Sequence, residues 1–546
     1  MIKRFVVTVA AAYLMVSCVH QTVPPEIAAT THALKTLDDL ASIDPGVLHQ
    51  GVQRASYGWN STPRELAVTL DDESGLLSVW QKSGEKYSLL IGHYFSTQQL
   101  DGVCLSSYDN LPTLITFDDK GYLAQWLIDL QTTQLQLVRT LAGSLNSKMC
   151  YSPPNTFDLF VMEEGVGLWR FASDPELEDE RKLVAAVEPI GNLNADAESV
   201  EVTDKGLWVE EKLVVSVDGF RANSRNVAQI TPKFETTPAE LTGDVMDDPV
   251  VWSGVRNEKY HRILATDKRV GLRVYDFTGE QQQFIPVGRV NNVDLRPVDN
   301  HPDFVAIAAA SNRTLKSISL FGIDKKGRVT WLENAEVATG LDDPYGLCMH
   351  KHQQQVFVFV NDKDGRYQQW LLNINPGSIT SSLLREFVTD DQPEGCVADD
   401  ANQRLFVGVE DDGIYVTSTL PAANTALTLV HAIDGERLVA DVEGLDIYLQ
   451  GDSGYLVASS QGNSTYAIFD RLPPYGYRGS VKISPNIGLG IDGSGGTDGL
   501  AVDSLREVLV VQDGLNVLND TRSGYLPQNL KVVEWQDVVE ALKLDE

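Results

Sequence analysis

The acids in the second half of this chain are the residues whose types could do chemistry together. Asp247 and Asp248, then Glu394 and Glu410, then Asp441 and Glu443, then Asp492 and Asp498 each fall where a short apolar run begins or ends. Carboxylates are hard oxygen donors, and a calcium ion takes about six to eight such oxygens. Zinc fits poorly, because no His or Cys set has ligand spacing. Between the acids lie the bases Lys268, Arg269, Arg313 and Lys363. By spacing alone a mixture of this kind is more often a surface ion-pair network than a site, and both readings stand at this point.

What could bring such residues together is a set of short strands. Runs such as "QVFVFVND" at 355–362, "RLFVGVED" at 404–411 and "GYLVASSQG" at 454–462 are apolar, β-branched or aromatic, and Gly, Asn and Asp punctuate them. They predict strands and turns. Helical periodicity is confined to "QDVVEALKL" at 536–544, so the class is all-β.

The chain also repeats itself. Gly102-Val103-Cys104 lies over Gly346-Leu347-Cys348, "GYLAQWLIDL" at 121–130 over "GRYQQWLLNI" at 365–374, and Cys150 over Cys396. Two related units follow, 25–232 and 235–546, of which the first is shorter and incomplete. Repeated strand-turn units suggest β-propellers with blades of about 40 to 50 residues. Residues 235–546 have room for a six-bladed β-propeller, in which the ends of inner strands converge on a central channel. One acid from each of several blades can then build an all-oxygen pocket.

Composition agrees with a folded, turn-rich protein: of 546 residues 43% are hydrophobic and 22% charged, with 43 Gly and 23 Pro. The formal net charge of −32 repels a phosphate backbone, which excludes nucleic acid as a partner.

Lys3 and Arg4 precede an apolar run from Phe5 to Val16 that is too short to span a bilayer, which predicts an export signal over residues 1–18. Leu14-Met15-Val16-Ser17-Cys18 resembles a bacterial lipobox, so Cys18 is expected to carry lipid. The protein is then an outer-membrane lipoprotein, periplasmic or extracellular, touching membrane only through that anchor. Ordinary signal cleavage with a free product is the alternative. The other four cysteines form equivalent pairs, Cys104 with Cys150 and Cys348 with Cys396, about one blade apart. In an oxidising compartment two disulfides are expected, against four buried thiols.

The second half closely resembles the β-propeller phytases, alkaline calcium-dependent 3-phytases of myo-inositol hexakisphosphate. The stretches that carry the resemblance are "DDPVVW" at 247–252, "TDKRVGLRVYD" at 266–276, "GRVNNVDLR" at 288–296 and "AAASNR" at 308–313. They continue in family order with "DQPEGCVADD" at 391–400, "DVEGLDIY" at 441–448, "SSQGNSTYAIFDR" at 459–471, "DGSGGTDGL" at 492–500 and "NLKVVEW" at 529–535.

The resemblance implies that active-site calcium ions are held by Glu235, Asp247, Asp248, Tyr345, Glu394, Glu410, Asp441, Glu443, Gln461, Asp492 and Asp498. Within that set Tyr345, Glu394, Glu410, Asp441 and Glu443 are the catalytic residues. It implies that Lys268, Arg269, Arg313 and Lys363 hold phosphate, and that Asp513 and Asn516 belong to a structural calcium site. Gly495 and Gly496 depart from the family pattern, where Ser and Asp are common, so one acid is lost. Phytate or calcium-phytate is the implied substrate, and a monomer is expected.

The first half keeps Glu164, Asp196 and Glu198 over Glu410, Asp441 and Glu443. However, Lys148 replaces Glu394, Asp101 replaces Tyr345, and nothing corresponds to Arg313. It is expected to be inactive alone. The alternative for the whole chain is a non-catalytic, lipid-anchored propeller binding protein.

Overall fold

The computed structural model describes residues 53–545 apart from short stretches, of which 95–99, 195–199, 222–226 and 516–526 are the longest. Cys18 and the export signal, Asp196, Glu198 and Asn516 lie outside the described residues, as does the side chain of Lys148. Among the described residues nearly every element is a strand, and the α-helix is Trp535–Leu542. Contacts divide the chain into two compact units, one including Arg64–Gln99 and the other joining Tyr57–Pro63 to Leu100–Glu546. In the smaller unit antiparallel strands bury Leu66, Ala67, Val79 and Trp80.

In the larger unit six antiparallel sheets follow one another from residue 246 onward. Their first strands are Met246–Trp252, Val290–Pro297, Pro344–His352, Pro393–Asp399, Val442–Gln450 and Leu500–Asp503. Each first strand contacts the next, and the sixth contacts the first, so the sheets form a closed ring with these strands innermost. This is propeller architecture. Strands just before the ring complete two of the sheets. Phe234–Glu235 pairs antiparallel with Asn529–Glu534 in the sixth, and Ala228–Ile230 pairs in parallel with Tyr477–Ile483 in the fifth.

Burial follows position in the blade. The second strand of the third sheet, Gln355–Asp362, is buried at all but its first residue because neighbouring sheets cover both its faces. That explains its continuous apolar run. The outermost strand, Ser378–Val388, is mostly exposed and carries polar residues. "NDKDG" at 361–365 is the hairpin turn between two strands, with Gly365 at φ 93°. Before the ring, residues 100–186 form two further four-stranded antiparallel sheets, and 200–216 form a three-stranded one.

Cys348 is bonded to Cys396 with Cα atoms 5.7 Å apart, and Cys104 to Cys150 at 5.8 Å. Each bridge ties the first strands of two successive sheets, the equivalence the repeat predicts.

Candidate active site

Five of the six inner strands begin with the same irregularity. The pairing slips between Met246 and Pro249, Val290 and Val293, Pro344 and Leu347, Pro393 and Cys396, and Val442 and Leu445. A bulge leaves its residues outside the ladder and re-aims their side chains. The residues inside the slips are Asp247-Asp248, Asn291-Asn292, Tyr345-Gly346, Glu394-Gly395 and Glu443-Gly444. Ring closure gathers them at one end of the channel.

The glycines in these pairs make room for the next strand. A Cβ on Gly346 would stand 1.8 Å from the Glu394 carbonyl oxygen, and one on Gly395 would stand 2.0 Å from that of Glu443. Gly395→Ala must therefore push two inner strands apart, at a cost of about 2–3 kcal/mol. Its thermal unfolding should fall several degrees below that of the parent protein, and an unchanged melting temperature would show that the strands can separate freely.

At the mouth so formed, carboxylate oxygens of Glu394, Glu410 and Glu443 all lie within 4.8 Å of one another. Asn291 Nδ2 donates to Glu394 Oε1 at 2.7 Å, and Glu410 takes a hydrogen bond from the Gln392 amide. A cavity of about 420 Å³ opens here, with Lys268, Tyr345, Glu394, Glu443, Gln461 and Asp498 in its lining. Lys268 Nζ stands 2.8 Å from Asp498, 3.0 Å from Asp244 and 3.8 Å from Asp247. Gln461 Nε2 donates to the other oxygen of Asp498 at 2.5 Å, and its backbone N–H donates to the Asp441 carbonyl at 3.0 Å.

So many acids in one buried space repel each other's charge. Burial, then the neighbouring Glu394, pushes the Glu443 carboxyl well above its ordinary range. Burial does the same for Asp247, with Glu394, Asp498 and Asp248 adding to it and Lys268 opposing. Glu410 is raised to about 7 by burial, Glu394 and Asp441, and Asp441 is raised by burial, Asp411 and Glu394. Burial works against the Lys268 ammonium, but Asp247, Asp498, Glu394 and Asp244 outweigh it and hold its pKa well above normal.

Asp247 Oδ2 is buried and has no hydrogen-bond donor. A cluster of oxygen donors with raised pKa values and an orphaned oxygen is one that a hard divalent cation satisfies better than protons do. The residues present fit such an ion.

The phosphate-binding candidates separate. Two cations stand against the Tyr345 ring: Lys363 Nζ is 3.9 Å from its centroid and the Arg313 guanidinium 5.4 Å. Arg313 is steered by Asp343, with contacts of 2.7 and 2.5 Å, and by Asn291 at 3.2 Å. Arg269 instead donates its Nε to the Asp244 carbonyl at 2.9 Å, in an exposed position.

Not all of the expected calcium ligands meet at the mouth. Asp248 accepts from the Val293 N–H at 2.9 Å and lines a narrow cavity of about 40 Å³ together with Asp294 and Asp446. Glu235, Asp492 and Asp513 surround the buried Lys531 ammonium at 2.6, 2.5 and 3.2 Å. This second cluster lies apart from the three glutamates. Sequence reasoning missed Asn291, Asp244, Asp343 and Lys531. For Asn291 a signal existed, since "NNV" at 291–293 stands where other inner strands read "EGC" at 394–396 or "EGL" at 443–445.

The Phytase family matches residues 202–546, which span all six sheets and both clusters. A curated relative, the 3-phytase of Bacillus subtilis (strain 168), is 32% identical over 346 residues, covering 60% of this chain and 89% of the relative. Among solved structures, a functionally unknown protein from Desulfotomaculum acetoxidans is 12% identical, covers 76% of this chain and 94% of its own, and gives a TM-score of 0.29. That likeness is too loose to bear on function. The match runs over the whole ring, and the chain belongs to the β-propeller phytase family.

Proposed function

We propose that this protein is a calcium-dependent phosphomonoesterase that releases inorganic phosphate from myo-inositol hexakisphosphate and leaves lower inositol phosphates. The observation that carries the reading is the meeting of Glu394, Glu410 and Glu443 within 4.8 Å, in a ring whose mouth also holds Lys268, Arg313 and Lys363. A chain of net charge −32 repels a polyphosphate unless bound cations reverse the local field. Glu394, Glu410 and Glu443, with Asp247, Asp441 and Asp498 beside them, would hold those cations. Calcium there would supply positive charge to activate water and to stabilise a phosphoryl group under in-line attack.

The remaining roles belong to the chain itself. Arg313 and Lys363, braced on the Tyr345 ring, present charge to phosphate oxygens, and Asp343 fixes the guanidinium plane. Lys268, held protonated by its acids, adds a fixed cation where charge develops. Asn291 orients Glu394, and Gln461 orients Asp498. Among the described residues of the cavity lining none is His, Cys or Ser, and with the carboxylates taken as cation ligands a direct attack by water needs no covalent enzyme intermediate. The sequence adds the proposal that the protein is exported and anchored by lipid on Cys18.

The test is phosphate release from sodium phytate near neutral pH, with calcium and with chelator. Release in calcium and loss of release in chelator is expected. A folded protein that releases none, or as much in chelator, sinks the reading and favours the binding-protein alternative.

A further inference from the structure

The loop 492–498 carries Asp498, which Lys268 and Gln461 hold at the cavity, and Asp492, which binds Lys531. Gly493, Gly495 and Gly496 make it a stretch with little conformational preference of its own. Part of what fixes it comes from the sheets that precede the ring. Glu176, fully buried, accepts the Gly493 N–H at 3.1 Å on Oε1. Its backbone carbonyl presses on Gly495, where a Cβ would stand 2.1 Å away, and accepts from Ser464 Oγ at 3.5 Å. Ser464 Oγ in turn accepts the Gly496 N–H at 3.2 Å.

Two residues earlier, Asp174 makes a buried ion pair of 2.7 Å with Lys482, at the end of the strand Tyr477–Ile483 that leads into the loop. An apolar contact lies alongside. Leu127 and Val138 pack with Leu515, which lines the cavity and stands 3.3 Å from where a Cβ on Gly496 would be. Burying a carboxylate and an ion pair is costly, and a merely tethering contact could be apolar throughout.

We propose that Glu176 and Asp174 are positioning residues that make the N-terminal half part of the active site, clamping loop 492–498 so that Asp498 reaches Lys268 and Gln461. This rests on the calcium phosphatase reading. The clamp reaches the cations only through the loop, so its loss should weaken calcium and turnover while leaving the phosphate-binding side at Arg313 and Lys363 intact. The half that the sequence leads one to expect to be inactive alone would then matter for catalysis by what it holds still.

The experiment compares full-length Glu176→Ala and Glu176→Gln with the parent protein. It measures calcium titration followed by thermal shift, kcat and KM for phytate, and melting in chelator. Gln keeps an oxygen that can accept from Gly493, so it should stay close to the parent. Ala should need about 10-fold more calcium for half-saturation and lose about 10-fold in kcat, with KM little changed. Parent-like calcium response and kcat in the Ala variant overturn the proposal. So does a Gln variant as impaired as Ala with an equal loss of melting temperature in chelator, which marks a structural contact only. If the parent itself releases no phosphate, the phosphatase reading fails, and the calcium titration still decides whether the clamp exists.

Discussion

Glu443→Gln should fold like the parent protein and lose phytate hydrolysis by about 10²–10³-fold in kcat. The two halves of that expectation have one cause. Without metal, burial and Glu394 hold the Glu443 carboxyl well above its ordinary range, which favours its neutral form. A glutamine of the same shape and charge costs the metal-free protein little, and melting in chelator should be unchanged or higher. With calcium the native residue ionises and offers a charged oxygen, whereas glutamine offers only a neutral carbonyl and so holds the ion more weakly. The rise in melting temperature that calcium produces should therefore shrink along with activity. Full activity in the variant would remove Glu443 from the metal site, and a collapse of stability in chelator would show that its charge, not its shape, holds the ring.

The second large effect is on stability against pH. In chelator the protein should become less stable as pH rises from about 5 to 8, the reverse of the usual behaviour of paired carboxylates. Asp247, Asp248 and Glu443 are raised well above the ordinary range, chiefly by burial, and Glu410, Asp446 and Asp513 are raised to about 7, again chiefly by burial. An acid with a raised folded pKa binds more protons in the native state than in the unfolded chain. The native state is therefore favoured below the folded pKa and loses that advantage as pH climbs from about 4 through it. Asp399 and Asp400 act oppositely, since hydrogen bonds and charge from Arg471 and from Arg296 with His350 lower them, but their contribution is lost only in acid below this window.

The melting temperature in chelator should fall by about 5–10 °C across the window, and saturating calcium should reverse the trend by replacing protons. Thermal scans at several pH values, with and without calcium, decide it. A melting temperature in chelator that rises with pH would mean the acids are already paired in the metal-free protein.

How much of this was legible in the chain depends on whether a feature is local or made by ring closure. Gln355–Asp362 could be read because its apolar run is set by burial on both faces, and the cysteine pairs because each bridge joins equivalent positions one sheet apart. The inner-strand acids were visible as carboxylates at the edges of short apolar runs. Their division into two clusters was not. Glu235 meets the side chains of Asn529 and Lys531 across 294 and 296 residues of sequence, and no period in the sequence announces that contact. Asp247 and Asp248 are adjacent, yet one faces the acids of the mouth and the other is taken by Val293, because a bulge turns neighbouring side chains in different directions. The departure at Gly495 is a loss when read from the second half alone. In the fold it is the space that the Glu176 carbonyl fills.

The strand Phe234–Glu235 sits in a sheet whose other members are the last strands of the ring. Where the chain folds from its N-terminus onward, this strand is in place long before Asn529–Glu534 can receive it, and until then the sixth sheet lacks its two outer strands. Sheets can form one by one, but the circle cannot be sealed before nearly the whole chain is present. Such long-range closure is slow and leaves strand edges open in the meantime. The residue that seals the seam, Glu235, also binds Lys531, so sealing the circle and assembling the ion cluster there are one event.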